Sequence, residues 1–133
     1  MFSSKQVREY VAINNLTSAM NNTRWQALFK SLRASQRMFL YRRKDIDGTF
    51  FPEDGVSFTP EIEQYWGEFN NIEWFDILAY AEHSKGVLLT PETVDYSDEL
   101  IDIASSAGAN FSLIDHGIRV WGYIRNIYHP DLQ

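Results

Sequence analysis

The chain has 133 residues, of which 44% are hydrophobic and 15% are aromatic, and its net charge is −6. This length and composition predict one folded domain and exclude a wholly disordered chain. The sequence contains no cysteine, so disulfides and thiolate metal sites are excluded. The acidic balance disfavours nucleic acid as a partner, because phosphate binding needs a basic surface. No apolar run has the length of a signal-peptide core or a membrane span, so we expect a soluble, cytoplasmic protein.

Two helices are predicted at the start of the chain. The first is capped at Ser3–Ser4 and fades at Asn14–Asn15. The second begins at Asn21–Thr23 and ends near Ser35. Its apolar residues stand at the spacing i, i+3, i+4 and i+7 of one buried face, and they are Trp25, Leu28, Phe29 and Leu32.

Short strands and turns follow these helices. Met38–Lys44 has the composition of a strand, and Asp47–Gly48 is the turn into its return strand. Pro52–Gly55 breaks the return strand, which must therefore be short or lie at a sheet edge. Over Thr59–Phe69 we predict a short helix, with an aromatic-rich loop as the alternative.

The segment Ile72–Ala79 is predicted to be a central strand, because both of its faces are apolar. One face carries Phe75, Ile77 and Ala79, and the other carries Ile72, Trp74 and Leu78. Asp76 interrupts the second face and needs a hydrogen-bond partner if it is buried. We interpret Trp25 and Trp74 as core residues, whereas Tyr65 and Trp66 fit a core or a binding surface equally well.

A turn-like segment is predicted over Glu82–Gly86, and a short apolar run at Val87–Leu89 precedes a third helix. Either Thr90–Pro91 or Asp95 can cap this helix. Gly108 supplies its C-terminal stop. The buried stripe of the helix is predicted to comprise Leu100, Ile103, Ala104 and Ala107.

The last element predicted is a β-hairpin over Asn110–Ile124. Its turn is Asp115–Gly117, in which Gly117 is able to take a positive φ. In the second run of the hairpin Ile118 and Val120 point one way, while Arg119 and Trp121 point the other way. A polar tail follows.

Helices and strands do not alternate regularly along the chain, so a parallel βαβ sheet is not expected. We predict an α+β fold with one antiparallel sheet of about four or five strands and helices packed mainly on one face. The sequence shows no internal repeat and no linker, so the whole chain, residues 1–133, is predicted to form a single domain.

Three segments resemble an uncharacterised bacterial family of small domains of unknown function. They are Met20–Trp25, Ile72–Ile77 and Asp115–Ile124, which resemble the family's Asn-Asn-Thr-Lys-Trp, Ile-Glu-Trp and Gly-Ile-Arg-Val-Tyr-Gly-Tyr motifs. Here Arg24 replaces the lysine, and Trp121 replaces the first tyrosine of the last motif. The resemblance implies no established activity. It suggests a core domain over 20–124, an N-terminal helical extension over 1–19 and a tail over 125–133.

Several kinds of chemistry are disfavoured by the residues themselves. The run Asp45–Gly48 does not form a calcium loop, because Arg43 would occupy the first ligand position. Arg42–Lys44 could be a nucleic-acid strand, but three basic residues in an acidic chain are more often a solvated strand end or partners for the chain's own acids. The histidines His83, His116 and His129 do not have the spacing of metal ligands, so we predict no metal site. No phosphate-binding glycine loop is present, so we predict no cofactor. We also predict no catalytic residue.

We therefore expect a non-enzymatic domain that binds another protein, which the acidic charge predicts to be basic. Small proteins of the family's kind have been suspected as immunity-type toxin inhibitors, and this is the particular form we expect. Acids and aromatics that resemble a binding hot spot are Glu61, Glu63, Tyr65, Trp66, Glu68 and Glu73. The alternatives are a small hydrolase or ligand-binding enzyme with an acidic site, around a pair such as Glu73 and Asp76, or a homo-oligomeric structural protein, with a homodimer as its simplest form.

Overall fold

The fold is given by a computed structural model, which describes residues 1–61, 69–83 and 92–125. The helices are α1 (Ser4–Ile13), α2 (Asn22–Ala34) and α3 (Ser97–Ser106). The strands are β1 (Leu16–Ser18), β2 (Leu40–Asp45), β3 (Phe50–Phe51), β4 (Ile72–Leu78), β5 (Tyr80–His83), β6 (Glu92–Asp95), β7 (Phe111–Ile114), β8 (Gly117–Trp121) and β9 (Tyr123–Arg125), and a 3-10 turn spans Phe69–Asn71. This composition confirms the predicted α+β class and the single domain.

The main sheet has five strands in the order β3-β2-β4-β8-β7, and all neighbours are antiparallel. β4 lies at its centre, as predicted from the apolar residues on both faces of that strand. β3 has two residues and lies at an edge, as expected from the break at Pro52. Two smaller antiparallel pairs join β1 to β9 and β5 to β6.

The hydrophobic core lies between one face of the main sheet and the helices α2 and α3. The predicted stripe of α2 is buried throughout, and it packs with Phe75 and Ile77 of β4 and with Ile118 and Val120 of β8. Burial of side chains of this size stabilises the fold by about 1.5 to 3 kcal/mol each. The prediction that helices pack mainly on one face is therefore confirmed for α2 and α3.

The helix starts follow the predicted capping signals closely. Ser3 forms a capping box with Gln6 at the start of α1, and the side chain of Asn21 accepts a hydrogen bond from the backbone N–H of Arg24 at the start of α2. The start of α3 differs by one residue, because Tyr96 is its N-cap. Asp95, one of the two predicted caps, accepts a hydrogen bond from the backbone N–H of Ser97 instead.

The turn of the predicted hairpin uses its residues differently from the expectation. The positive φ of 63° belongs to His116, whereas Gly117 is the first residue of β8. A Cβ atom at Gly117 would lie 1.9 Å from the carbonyl oxygen of Ile77. Gly117 is therefore required by the close approach of β8 to β4 and not by the turn.

The second run of the hairpin was predicted as one strand, but the structure divides it at Gly122. Here the chain leaves the main sheet, and the next strand, β9, pairs with β1. A Cβ atom at Gly122 would lie 2.0 Å from the carbonyl oxygen of Ile72, so this position also requires glycine. A further correction concerns Glu82 and His83, which belong to β5 and not to a turn.

The segment predicted as an extension, residues 1–19, is joined to the rest of the fold at several points. Val7 is buried, and Phe2 exchanges two hydrogen bonds of 3.0 Å with the side chain of Asn71. The backbone N–H of Ala19 donates to the carbonyl oxygen of Gly122, next to the β1–β9 pair. The strand β1 was not predicted.

Some predictions fall on residues outside the described ranges. They are most of the helix over Thr59–Phe69, the apolar run Val87–Leu89, the cap at Thr90–Pro91 and the tail after Arg125. Among the residues that are described, no helix is both long and apolar enough to cross a membrane.

Candidate functional site

A β-bulge in β4 determines which side chains reach the sheet face opposite α2 and α3. Lys44 of β2 is paired with Trp74, but the next residue, Asp45, is paired with Ile72, so Glu73 is an extra residue. The extra residue reverses the alternation of side chains at this point. Ile72, which was predicted to share a face with Trp74, is instead part of the helix-covered core. The side chain of Glu73 lies beside Lys44, with 2.8 Å between Oε2 and Nζ.

Asp76 lies on the same side of β4 as Trp74 and is fully buried by its own partners. Arg119 binds it in a bidentate manner, with 2.7 Å from Nε to Oδ1 and 3.0 Å from Nη2 to Oδ2. Arg42, from the other neighbouring strand, places Nη2 2.6 Å from Oδ2. The partner that burial of Asp76 was expected to require is thus a pair of arginines.

The same two arginines stack on aromatic rings. The guanidinium carbon of Arg119 lies 3.9 Å from the ring centre of Trp74 and 5.7 Å from that of Trp121. Arg42 lies 4.6 Å from the ring centre of Phe58 and 5.4 Å from that of Trp74. These are cation–π distances. We call the surface formed by Arg42, Trp74, Asp76, Arg119 and Trp121 the arginine–tryptophan face.

Trp74 was interpreted as a core residue, and the structure confirms that it is buried. It does not, however, belong to the cluster that packs against the helices, because its ring lies between the two arginines on the other side of the sheet. Trp121 is half-buried and donates a hydrogen bond of 3.0 Å from its indole N–H to Ser112 Oγ. Both rings are therefore held in fixed orientations.

A cleft of about 230 Å³ lies at one end of this face. It exists because Gly122 turns the chain away from the main sheet, so that the β1–β9 pair forms a second wall. The main sheet contributes Lys44, Glu73, Trp74 and Trp121 to the lining, and the β1–β9 pair contributes Leu16, Tyr123, Ile124 and Arg125.

The basic run of β2 is bound to acids of the same chain. Arg42 pairs with Asp76, Arg43 with Asp45 at 2.5 Å, and Lys44 with Glu73. This confirms the interpretation of the run as partners for the protein's own acids. Arg43 and Asp45 lie on the helix side of the sheet and are both buried.

Of the six residues predicted to bind a partner, the described residues include Glu61 and Glu73. Glu73 lines the cleft beside the arginine–tryptophan face. Glu61 is exposed, and its backbone N–H donates to Thr59 Oγ1. The other four, Glu63, Tyr65, Trp66 and Glu68, lie outside the described residues.

The contributions of Arg42, Arg119 and Trp121 to a common site were not predicted. A signal was present, since Asp76 interrupts an apolar strand and Arg119 and Trp121 alternate on one face of the next strand. Only the register shows that Asp76 stands opposite both Arg42 and Arg119.

Within the described ranges, the histidine whose side chain can be placed is His116. His116 Nδ1 lies 2.9 Å from Asp95 Oδ2, and both side chains are about half exposed. This contact and two hydrogen bonds from Ser97 lower the pKa of Asp95 to about 2. In the described ranges, no group of three or more histidines and acids could hold a metal ion.

The fold and the site together define a small α+β domain whose antiparallel sheet carries helices on one face and a preorganised arginine–tryptophan surface on the other. The chain belongs to the family of unknown function DUF6678, whose model matches residues 7–127. This confirms the expected membership of an uncharacterised family of small domains. No curated protein and no solved structure matches the chain.

Proposed function

We propose that the chain is a protein-binding domain without catalytic activity of its own, and that its partner contacts the arginine–tryptophan face. The observation that carries the proposal is the composition of this face. Tryptophan, tyrosine and arginine dominate the residues that contribute most to protein–protein binding. Here Trp74, Trp121, Arg42 and Arg119 lie together, and Tyr123 adjoins them in the cleft.

The rigidity of the face supports the same function. Ordering a long side chain at an interface costs about 0.5 to 1.5 kcal/mol. Asp76 already fixes both arginines, and Ser112 fixes the indole of Trp121, so binding would order few additional groups. A preorganised surface of this kind favours affinity without new strain.

The acids of the face favour binding over hydrolysis. Asp76 is inaccessible to a substrate, because its exposed fraction is zero and its oxygens contact two arginines. Glu73 is held by Lys44 at 2.8 Å. A hydrolase that used these carboxylates would need at least one of them free to exchange a proton with its substrate. Glu73 and Asp76, the pair expected for an acidic enzyme site, are instead committed to ion pairs.

The partner we propose is a basic protein, because the net charge of −6 steers cationic molecules toward the chain. In its particular form the proposal is an immunity-type inhibitor that binds a basic toxin domain in the cytoplasm of a bacterium. Of the predicted acids, Glu61, Glu63 and Glu68 would supply long-range attraction, whereas Glu73 is already paired with Lys44. The aromatic residues Tyr65 and Trp66 would extend the contact.

The test is affinity purification of the tagged chain from its own host, with mass spectrometry, comparing three forms. We expect one stoichiometric partner with the wild type, and a loss of about thirty-fold in affinity with Trp121→Ala, which corresponds to about 2 kcal/mol. The matched control is Ile13→Ala, which removes an apolar side chain that is 82% exposed on α1. Thermal melting of all three forms shows that each is folded.

The outcomes separate the parts of the proposal. A partner lost with Trp121→Ala and kept with Ile13→Ala supports the face. A partner kept by both variants refutes the face as the contact surface. Charge reversal of Glu61, Glu63 and Glu68 should slow association and leave melting nearly unchanged, and an unchanged association rate would refute a basic partner steered by these acids.

A further inference from the structure

The two walls of the cleft beside the arginine–tryptophan face come from different sheets, but both carry large apolar side chains. Trp74 and Trp121 line it from the main sheet, and Leu16, Tyr123 and Ile124 line it from the β1–β9 pair. Three of these side chains are aromatic, and two are branched aliphatic. The walls therefore suit a flat apolar body.

The charges at this cleft are unequal. Lys44, Glu73 and Arg125 line it, and Lys44 is already paired with Glu73 at 2.8 Å. Arg125 is exposed, and no carboxylate of the described residues lies within ion-pair distance of it. Within the ranges that the structure describes, Arg125 is therefore a cation of this cleft without an acidic partner, whereas Lys44 and Glu73 neutralise each other. A guanidinium binds a carboxylate through two parallel hydrogen bonds.

The size of the cleft restricts the ligand. Pockets for drug-sized molecules measure about 300 to 1,000 Å³, whereas this cleft measures about 230 Å³. It accommodates a single ring with a short substituent. A larger molecule would extend into solvent and gain little from the walls.

We propose that the cleft binds a small aromatic carboxylic acid, with its ring between Trp121 and Tyr123 and its carboxylate on Arg125. This site is distinct in function from the protein contact proposed above and does not depend on it.

The experiment compares three probes that share one ring and differ in charge. Binding of phenylacetate, phenylacetamide and 2-phenylethylammonium to the full chain is measured by isothermal titration and by ligand-observed NMR. For a ligand of this size we expect phenylacetate to bind with a Kd of about a millimolar or below. The neutral amide should bind at least ten-fold more weakly, and the ammonium should not bind measurably.

Variants of Arg125 test the assignment of the carboxylate. Arg125→Gln should reduce phenylacetate affinity at least ten-fold and abolish the preference over the amide, whereas Arg125→Lys, which keeps the charge but not the planar fork, should lie between. The matched control is Arg37→Gln, because Arg37 is also an exposed arginine but pairs with Glu99 on α3. It should bind phenylacetate like the wild type.

Three results would overturn the proposal. The first is that none of the three probes binds at 10 mM, which is about ten times the expected Kd. The second is that the ammonium binds more tightly than phenylacetate. The third is that the wild type and Arg125→Gln bind phenylacetate with equal affinity. None of them bears on the protein partner, whose loss is measured with Trp121→Ala in the absence of any acid. Failure of the acid site and failure of the protein contact are therefore distinguishable.

Discussion

Asp76 organises the arginine–tryptophan face at the level of single residues. A buried carboxylate is costly unless its oxygens are matched by cations and hydrogen bonds. Here three hydrogen bonds from Arg42 and Arg119 provide that match. The same bonds place the guanidinium groups against Trp74, so one buried acid determines the orientation of three neighbouring side chains.

Replacing Asp76 by Asn should therefore destabilise the chain strongly. The change leaves two arginines side by side without their counter-charge, and removal of one member of a buried ion pair costs about 3 kcal/mol or more. The arginines retain some access to water, with 19% and 26% of their side chains exposed, so we expect the lower end of this range. Urea unfolding measures the loss, and Asp98→Asn, an exposed position on α3, is the control. A loss below about 1 kcal/mol would contradict the structural role of Asp76.

The contact of Asp95 with His116 predicts a pH dependence. The pKa of Asp95 is lowered from 3.8 to about 2 by the hydrogen bond with His116 and those from Ser97. A carboxyl whose folded pKa is depressed contributes stability above its unfolded pKa, and this contribution disappears as the pH falls through the folded value. The contribution is small, because both side chains are about half exposed.

Comparison of the wild type with Asp95→Asn checks this dependence. Their difference in unfolding free energy should be present at pH 5, shrink as the pH falls below 3.8, and be nearly lost below about pH 2. Chemical denaturation at several pH values gives the difference directly. If the difference in unfolding free energy between the wild type and Asp95→Asn persists unchanged at pH 2, the ionised form of Asp95 is not the source of the stabilisation.

At the level of elements, two irregularities create the cleft. The bulge at Glu73 turns an acid toward Lys44 and the cleft, and Gly122 allows the chain to leave the main sheet one residue after β8. They are coupled, because the backbone N–H of Gly122 donates to the carbonyl oxygen of Glu73 at 2.8 Å. Bulges commonly redirect a side chain near a binding site.

Glycine substitutions test how tightly β8 approaches β4. Gly117→Ala would place a methyl group 1.9 Å from the carbonyl oxygen of Ile77, so we expect a loss of about 3 kcal/mol from strand displacement. Gly48→Ala is the control, since nothing lies within 4 Å of its added Cβ and only its positive φ of 90° is strained. That strain costs about 1 kcal/mol. Equal losses at the two positions, measured by thermal unfolding, would contradict the close approach.

The sequence predicts elements with a strong local signal. Ser3 and Asn21 predict the starts of α1 and α2, because their side chains cap the backbone N–H groups of the first turn. The buried face of α2 follows from the helical spacing of its apolar residues alone. The sequence does not predict β1 or the bulge at Glu73, because both depend on pairing between residues far apart in the chain. The arginine–tryptophan face was missed for the same reason, since its members come from three strands brought together by register.

At the scale of the whole molecule, charge is distributed unevenly. The chain has 18 acids and 12 basic residues. The face and its cleft nevertheless gather four cations, Arg42, Lys44, Arg119 and Arg125, around the two acids Glu73 and Asp76. The excess negative charge therefore lies elsewhere. Long-range attraction of a basic partner and close contact with it would therefore involve different parts of the surface. Salt should weaken the long-range attraction much more than the close contact at the face.

The pairing of β1 with β9 brings together residues 16 and 125, which lie 109 positions apart in the sequence. A contact across so many intervening residues carries a large loop-closure cost and rests on three paired positions, so it should form last and open first. In hydrogen exchange we expect the amides of β1 and β9 to lose protection well before those of β4. Simultaneous exchange of both groups would instead indicate a single cooperative unit. The β1–β9 pair, or ribbon, is one wall of the cleft. A ligand bound in the cleft would therefore have to keep these two strands paired. Slower exchange of the ribbon amides would then report occupancy even for a ligand whose identity is unknown.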